Sequence, residues 1–440
     1  MSEQRTIPTS LGLPIIGNFL KYQKDRLALL TSLQGELGDS FKIKIGPKIL
    51  TVLSTPEDVK HVMRLNMKNY YKRTNFDQLF GKGVFTTNNE EWKVQRKMVQ
   101  PLFGPRYIES CVPIIVEKTQ NEITKTSSNK EIDVYDLYAK ITFEIIIATI
   151  IGIDLSEEFE KLNYSLNTIS DYLTKTNYLP FQLPEAVNSK KKEYAKCTEY
   201  LNKVIYKSIE VQKSKERRKN FSMISLMLQA QEECEDMKFD DQRVRDNIIS
   251  LMFAGFETSA LTLAWLSCLL GEHQEVQEKL YEEIKDFDVT DVKIKDLDKL
   301  PYLDAVINET MRLYPAGWAW TRVAAENDEI NGLKIEAGEI VLVSPYLTQR
   351  SPEVWNNPNS FNPDRFIESD NHIKRQFSFF PFGGGPRICV GKQFGQIEIK
   401  LILIHTLQQF KFLKGNMPTP YPMATLQSKE GFHLKLKARR

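Results

Sequence analysis

Residues 380–394 read FPFGGGPRICVGKQF, a stretch in which one cysteine, Cys389, follows three consecutive glycines, a proline and an arginine. Beyond it, GKQFGQIEIKLILIHTLQQF (391–410) carries apolar residues at helical spacing, so the thiol is expected just before a helix N-terminus. A cysteine binds metal as thiolate, and its free pKa of about 8.5 falls near a helix N-terminus or a cation, here Arg387. Gly383, Gly384 and Gly385 permit tight turning and close approach of backbone to a flat ligand, and Arg387 could meet a carboxylate on that ligand bidentately. Taken alone, the stretch also fits a structural turn with an incidental buried cysteine.

The rest of the chain narrows what such a thiol serves. At 440 residues, length suggests about three domains, but no internal repeat, low-complexity tract or Pro/Gly/Ser-rich linker divides the chain, so one domain over 1–440 is expected. Hydrophobic content of 41% and charged content of 26% are globular and imply a substantial core. With 59 basic and 57 acidic residues, net charge gives no reason to expect nucleic-acid or anionic-membrane binding. The cysteines Cys111, Cys197, Cys234, Cys268 and Cys389 lack CxxC spacing, which argues against a disulfide framework or zinc ribbon and fits a reducing cytoplasm.

The start, MSEQRTIPTSLGLPIIGNF, reads as neither signal peptide nor membrane anchor. Ile248 to Leu270, 23 residues with only Glu257 charged, is long enough to cross a bilayer. A midspan carboxylate is costly in lipid, however, and the polar flanks FDDQRVRDN and GEHQEVQEKLYEEIKDF favour a central buried helix. No transmembrane anchor is therefore expected, and the location is read as cytoplasmic with peripheral membrane contact allowed.

SFKIKIG and KILTVLST alternate like strands around a GPK turn, PEDVKHVMR begins as a helix with proline in its first turn, and GLKIEAGEIVLVSP returns to strands around an EAGE turn. The β-rich parts, about 35–70 and 330–346, are expected to share one sheet, with a helical body over about 88–315 and the cysteine loop and its helix over 380–412. SKKKEYAK (189–196) and SKERRKN (214–220) read as solvated helix faces or loops.

Spacing then resolves the cysteine. Phe382, Gly385, Arg387, Cys389 and Gly391 match F-x-x-G-x-R-x-C-x-G in full, and this resembles the haem-binding loop of the cytochrome P450 family. The resemblance implies that Cys389 is the proximal thiolate ligand of haem iron, whose electron donation favours O–O cleavage. It also implies a fold that is mainly α with small antiparallel sheets and a long central helix over haem b.

Companion motifs recur upstream. ETMR puts Glu309 and Arg312 one helical turn apart, which alone fits an exposed ion pair. With FNPDRF supplying Arg365, the three resemble the family's E-x-x-R pair and meander arginine, implying a buried network that supports the proximal haem face. AGFETS (254–259) resembles the family's acid–alcohol signature and implies that Thr258 organises bound dioxygen and water while Glu257 takes part in proton delivery. Read from the residues alone, it is also a helix-packing glycine with back-bonded hydroxyls. WKVQR places Trp92 and Arg96 on one helix face, where both can donate to an anion, and with Arg322 they resemble the family's propionate partners. The resemblance runs from LGLPIIGN (11–18) to TLQSKEGFHLKLKAR (425–439); Gln349 stands where many relatives have histidine, and PDRF replaces PERF.

The function so implied is a haem-thiolate monooxygenase inserting one oxygen atom of O2 into an apolar organic substrate, with electrons from a separate ferredoxin or flavodoxin and its reductase. A peroxide-driven peroxygenase, or an electron-independent isomerase or dehydratase, would use the same loop but often lacks the acid–alcohol pair; a haem sensor would need neither. The candidate substrate wall comprises Val84 and Phe85, Phe253 and Ala254, and the segment Ala316 to Trp320 with Gly317 and Trp318; YLPFQLP (178–184) fits an entrance lining or, equally, a buried loop. Mostly apolar residues suit a terpenoid, a carotenoid or a fatty acid, and LYPAGWAWTR and SPYLTQR resemble segments of carotenoid-hydroxylating members.

Overall fold

Period-two alternation in SFKIKI and KILTVL makes the first hairpin, whose turn runs through Gly46 at φ +59°. The structure is a computed structural model describing residues 7–72, 76–177, 190–214, 222–233, 240–367 and 376–439. It is mainly α-helical with small sheets, as expected. The backbone groups into two compact units, each assembled from three stretches of chain.

The first unit (residues 1–73, 304–389 and 419–430) holds a six-stranded sheet in the order Thr9–Ser10, Ser40–Ile45, Lys48–Leu53, Ile340–Val343, Trp320–Ala324, Tyr70–Tyr71. Distant β segments do share it, Leu50 pairing with Ile340 and Leu53 with Val343 in parallel. The EAGE stretch is not a hairpin turn, however: Leu333–Ile335 pairs with Asp328–Ile330 in a separate ribbon, while Ile340–Val343 is enclosed by two strands of the larger sheet. Pro56 opens a helix capped by Thr55, whose hydroxyl accepts the N–H of Asp58 at 3.2 Å. That helix widens into a π turn, His61–Leu65, which no local sequence signal announced. Val59, Val62 and Met63 pack with Leu53, Val341, Phe377 and Phe380 into the core.

The second unit (residues 74–303, 390–418 and 431–440) is built on one long helix, Asp241–Glu272. Asp240 caps it by accepting the N–H of Arg243 at 2.9 Å. By length and composition this helix could cross a membrane, but 78% of its most apolar window is buried inside the protein, as expected for a core helix. It packs along Val134–Ile146, where Thr142 donates to the Phe256 carbonyl at 3.0 Å and Tyr138 shares a 2.9 Å hydrogen bond with Ser267. The helix after the cysteine, Lys392–Gln409, is buried along most of its length and leads into a sheet of Phe410–Phe412, His433–Ala438 and Glu131–Asp133. Lys190–Glu193 opens an exposed stretch of helix, as read, whereas Ser189 and residues 215–220 lie outside the described residues.

Candidate active site

Loop geometry explains the glycines around Cys389. Gly383 and Gly385 adopt φ of +74° and +63°, open to glycine at little cost. A Cβ on Gly385 would lie 2.2 Å from the Met63 carbonyl oxygen, and one on Gly384 would lie 2.1 Å from the Phe377 ring. The Cys389 N–H donates to the Phe382 carbonyl at 2.9 Å, closing the loop through the first and fourth motif residues. Gly391 immediately precedes the next helix, and its carbonyl accepts the N–H of Gly395 at 2.8 Å. Cys111, Cys197 and Cys268 are buried, whereas Cys389 is exposed; Cys234 lies outside the described residues.

Positive charge gathers beside this thiol. Arg322, on the strand Trp320–Ala324, is 5% exposed, and its guanidinium donates to the Thr321 carbonyl and, at 3.9 Å, meets the Met63 sulfur. Among the described residues it pairs with no carboxylate. Burial and the neighbouring Arg387 lower its pKa to about 10, and burial lowers that of Arg387 to about 10. Lys72 belongs to the same cluster: burial, then Arg322 and Arg387, hold its ammonium well below the ordinary range, with Cys389 pulling the other way. Sequence reading missed Lys72, which sits outside every motif. Buried like charges are costly unless an anion joins them, so this donor set fits a group carrying carboxylates. The residues present therefore fit haem.

Glu309, Arg312 and Arg365 form one buried network rather than a solvated pair. Arg312 clasps Glu309 bidentately at 2.7 and 2.9 Å, and Arg365 Nε reaches the same carboxylate at 3.0 Å. Arg312 also donates to the carbonyls of Gln349, Pro358 and Ser360 at 2.7 to 3.0 Å, and the indole of Trp355 lies against both guanidiniums. Gln349, fully buried, donates to the carbonyls of Met311 and Arg312 and accepts the N–H of Phe380 at 2.9 Å. One side chain thus ties the network to the start of the cysteine stretch.

In the second unit, the long helix opens at its middle. Phe253, Ala254, Gly255 and Thr258 are partly or fully exposed on a helix otherwise buried through most of its length. Thr258 Oγ1 donates to the Ala254 carbonyl at 2.8 Å, the back-bonded geometry that a hydroxyl adopts on a helix. Glu257 does not share this open strip: it is 2% exposed, close enough to Tyr135 that the phenol, already raised by burial, is raised further by the carboxylate. Phe253 joins Phe76, Phe80 and Phe85 in an aromatic cluster with ring centroids 5.2 to 6.2 Å apart. The loop bearing Phe85 is clamped to the helix by Asp246, which accepts the Lys82 N–H at 2.8 Å, and Asn247, which accepts the Val84 N–H at 2.9 Å. Trp92 is buried on the helix Asn89–Val99, one turn before the half-buried Arg96, whose Nε donates to Gln100 at 3.0 Å.

Among the proposed wall residues of the first unit, Ala316 and Gly317 keep partial exposure. Trp318 is 2% exposed, and its indole N–H donates to the Met423 carbonyl at 2.9 Å. Trp320 remains half-buried, with its ring 5.9 Å from Phe380. The stretch 178–184 lies outside the described residues.

Comparison with known proteins agrees with this chemistry. A family profile described as cytochrome P450 matches residues 7–436. Cytochrome P450 3A6 of Oryctolagus cuniculus is 29% identical over 434 residues, covering 92% of this chain and 85% of its own. Cyclooctatin synthase of Streptomyces melanosporofaciens is 26% identical over 427 residues, covering 94% and 92%. Cyclooctat-9-en-7-ol 5-monooxygenase of the same organism is 27% identical over 402 residues, covering 89% and 86%.

Proposed function

The chain belongs to the cytochrome P450 family and is a haem-dependent monooxygenase, and within that premise we propose that Cys389 is the thiolate ligand of haem b and that the substrate is a bulky apolar molecule: a terpenoid, a carotenoid or a fatty acid. That the chain works as one catalytic domain is part of this proposal, supported by the family match over residues 7–436. The observation that carries the ligand assignment is the exposed thiol beside a cluster of cations, of which Arg322 is buried and has no carboxylate partner among the described residues.

Bound haem supplies the activation of dioxygen and the transfer of one oxygen atom. Cys389 would hold the group through its sulfur as a thiolate, with Arg387 and Lys72 as neighbouring cations. Arg322, Arg387, Lys72, Trp92 and Arg96 are assigned to the haem carboxylates, where charge-assisted hydrogen bonds would offset burial. Phe382 and Gly391 keep the cysteine loop closed and lead it into its helix. Thr258 is assigned to hold and relay a proton at Oγ1 on the open strip of the long helix; that hydroxyl donates to the Ala254 carbonyl, so a relay would require its rotation. Glu257 is assigned proton supply; from its buried position this requires side-chain rotation or a water.

Phe85, Phe253 and Ala254 offer an apolar wall that excludes water, to which Ala316 and Gly317 are added as expectations from the sequence. The names of the two Streptomyces relatives support a biosynthetic apolar substrate. Electrons are assigned to a separate ferredoxin- or flavodoxin-type donor with its reductase. The test is a screen of lipid-like compounds for a substrate-induced Soret shift, followed by turnover with reductase partners and with peroxide alone. Product formed only with reductant and O2 supports the proposal; equal turnover with peroxide alone would replace it with the peroxygenase reading.

A further inference from the structure

One carboxylate in the first unit holds a turn that the chemistry above leaves unused. Asp328 Oδ2 accepts three hydrogen bonds: from Tyr70 Oη at 2.6 Å, from Asn66 Nδ2 at 3.0 Å, and from His61 Nε2 at 2.8 Å. Its other oxygen accepts the N–H of Glu329 at 2.9 Å. His61 is the first residue of the π turn His61–Leu65, and Asn66 is its C-terminal cap, with its N–H on the His61 carbonyl at 2.9 Å. Both ends of the turn are therefore fixed to a single oxygen on a strand more than 260 residues away in sequence.

What the turn presents is its middle. A Cβ added to Gly385 would lie 2.2 Å from the Met63 carbonyl oxygen and 3.3 Å from the Arg64 Cα, so the cysteine loop rests directly on this backbone. The Met63 sulfur lies 3.9 Å from Arg322 Nη2, and its terminal methyl would sit 4.0 Å from a Cβ on Gly383. A π turn places residues 61 and 66 and the intervening carbonyls differently from an α turn; a relaxation to α geometry would move Met63 relative to Gly385. Single π turns within α-helices occur frequently at functional sites. Burial alone would raise the Asp328 carboxyl, but the bonds from Tyr70, His61 and Asn66 hold it below the ordinary range, so it is an anion with strong acceptor capacity.

We propose that Asp328 is a positioning residue for the haem thiolate: by clamping both ends of the π turn it fixes Met63 against Gly385 and Arg322, and so sets the geometry of the loop that ends in Cys389. This rests on the assignment of Cys389 as the iron ligand. The role is indirect, since Asp328 reaches the loop through Met63.

The test compares purified, haem-loaded wild type with Asp328→Asn, Tyr70→Phe and, as a control on the same strand, the exposed Glu329→Ala. The readout is the rate at which the reduced, carbon-monoxide-bound protein loses its thiolate-type absorption band, recorded beside the far-ultraviolet melting curve. Removing acceptor strength at Asp328 is expected to speed that loss about tenfold, the equivalent of one charge-assisted hydrogen bond. Tyr70→Phe, which deletes one donor of three, should give a smaller acceleration, and Glu329→Ala none. Unchanged rates in folded Asp328→Asn and Tyr70→Phe overturn the proposal, as does a loss that tracks global melting in both. If Asp328→Asn does not fold, Tyr70→Phe decides alone on the same criterion. Retention of the thiolate band in Cys389→Ser would instead remove the ligand assignment, whatever the Asp328 variants show.

Discussion

Gln349 Oε1 accepts the backbone N–H of Phe380 at 2.9 Å, while the same amide donates to the carbonyls of Met311 and Arg312. Three buried backbone groups from two distant segments depend on one neutral side chain. Gln349→Leu leaves all three unsatisfied and is expected to cost about 3 kcal/mol, read by thermal or denaturant unfolding. Gln349→His should recover part of that loss, since imidazole both accepts and donates. If Gln349→Leu is as stable as wild type, this amide does not join the two segments energetically.

Arg322 makes opposite demands on the loaded and unloaded protein. In the absence of a carboxylate its charge repels Arg387 and Lys72; with haem bound it is assigned a propionate. Arg322→Gln should lower haem affinity about tenfold to a hundredfold, measured by transfer to a competing haem acceptor, while the haem-free protein melts no lower than wild type. Loss of stability in the haem-free protein with unchanged haem affinity would make Arg322 a structural residue only.

Glu398, on the helix after the cysteine, is fully buried, with neither carboxylate oxygen hydrogen-bonded among the described residues. Burial raises its pKa from 4.5 to about 8, against a smaller opposing pull from the nearby Ser259 hydroxyl, which falls short of hydrogen-bond geometry with either oxygen. The folded state therefore holds a proton that the unfolded chain releases above pH 4.5, so stability falls as pH rises from about 4.5 to about 8 and levels off beyond. The full effect is on the order of 5 kcal/mol. Glu398→Gln should flatten that slope in denaturant titrations at several pH values. An identical slope in wild type and variant would show that Glu398 stays ionised in the folded protein.

Thr258→Ala removes the hydroxyl from the open strip of the long helix and leaves the helix hydrogen bonds in place. Product formation is expected to fall about a hundredfold while reductant consumption continues and peroxide accumulates. Undiminished product per electron would take proton delivery away from Thr258.

The proximal half of the site was legible because its residues sit at fixed short spacings: a cysteine two places after an arginine and two before a glycine, and a glutamate three before an arginine. Such spacings are local, so sequence displays them directly. Lys72, Asp328 and the bridging amide of Gln349 act through contacts between segments tens to hundreds of residues apart, and no local pattern marks them. Trp318 and Trp320 show another limit. An apolar run names candidates for a wall without saying which ring turns inward; here Trp318 is buried with its indole N–H on the Met423 carbonyl, while Trp320, paired with Val343 in the sheet, stays half-exposed. Glu257 and Thr258 enter together through the resemblance of AGFETS to an acid–alcohol signature; adjacent residues on a helix point about 100° apart, and of the two Thr258 falls on the open strip.

The most direct test of the account is the absorption spectrum of reduced, carbon-monoxide-bound Cys389→Ser after haem loading. The exposed Cys389 is assigned as the sulfur that meets iron, so the thiolate-type band should vanish while Cys111→Ser, a change at a buried thiol, keeps it. A thiolate-type band of unchanged position and intensity in Cys389→Ser would contradict the assignment on which the proposed chemistry depends.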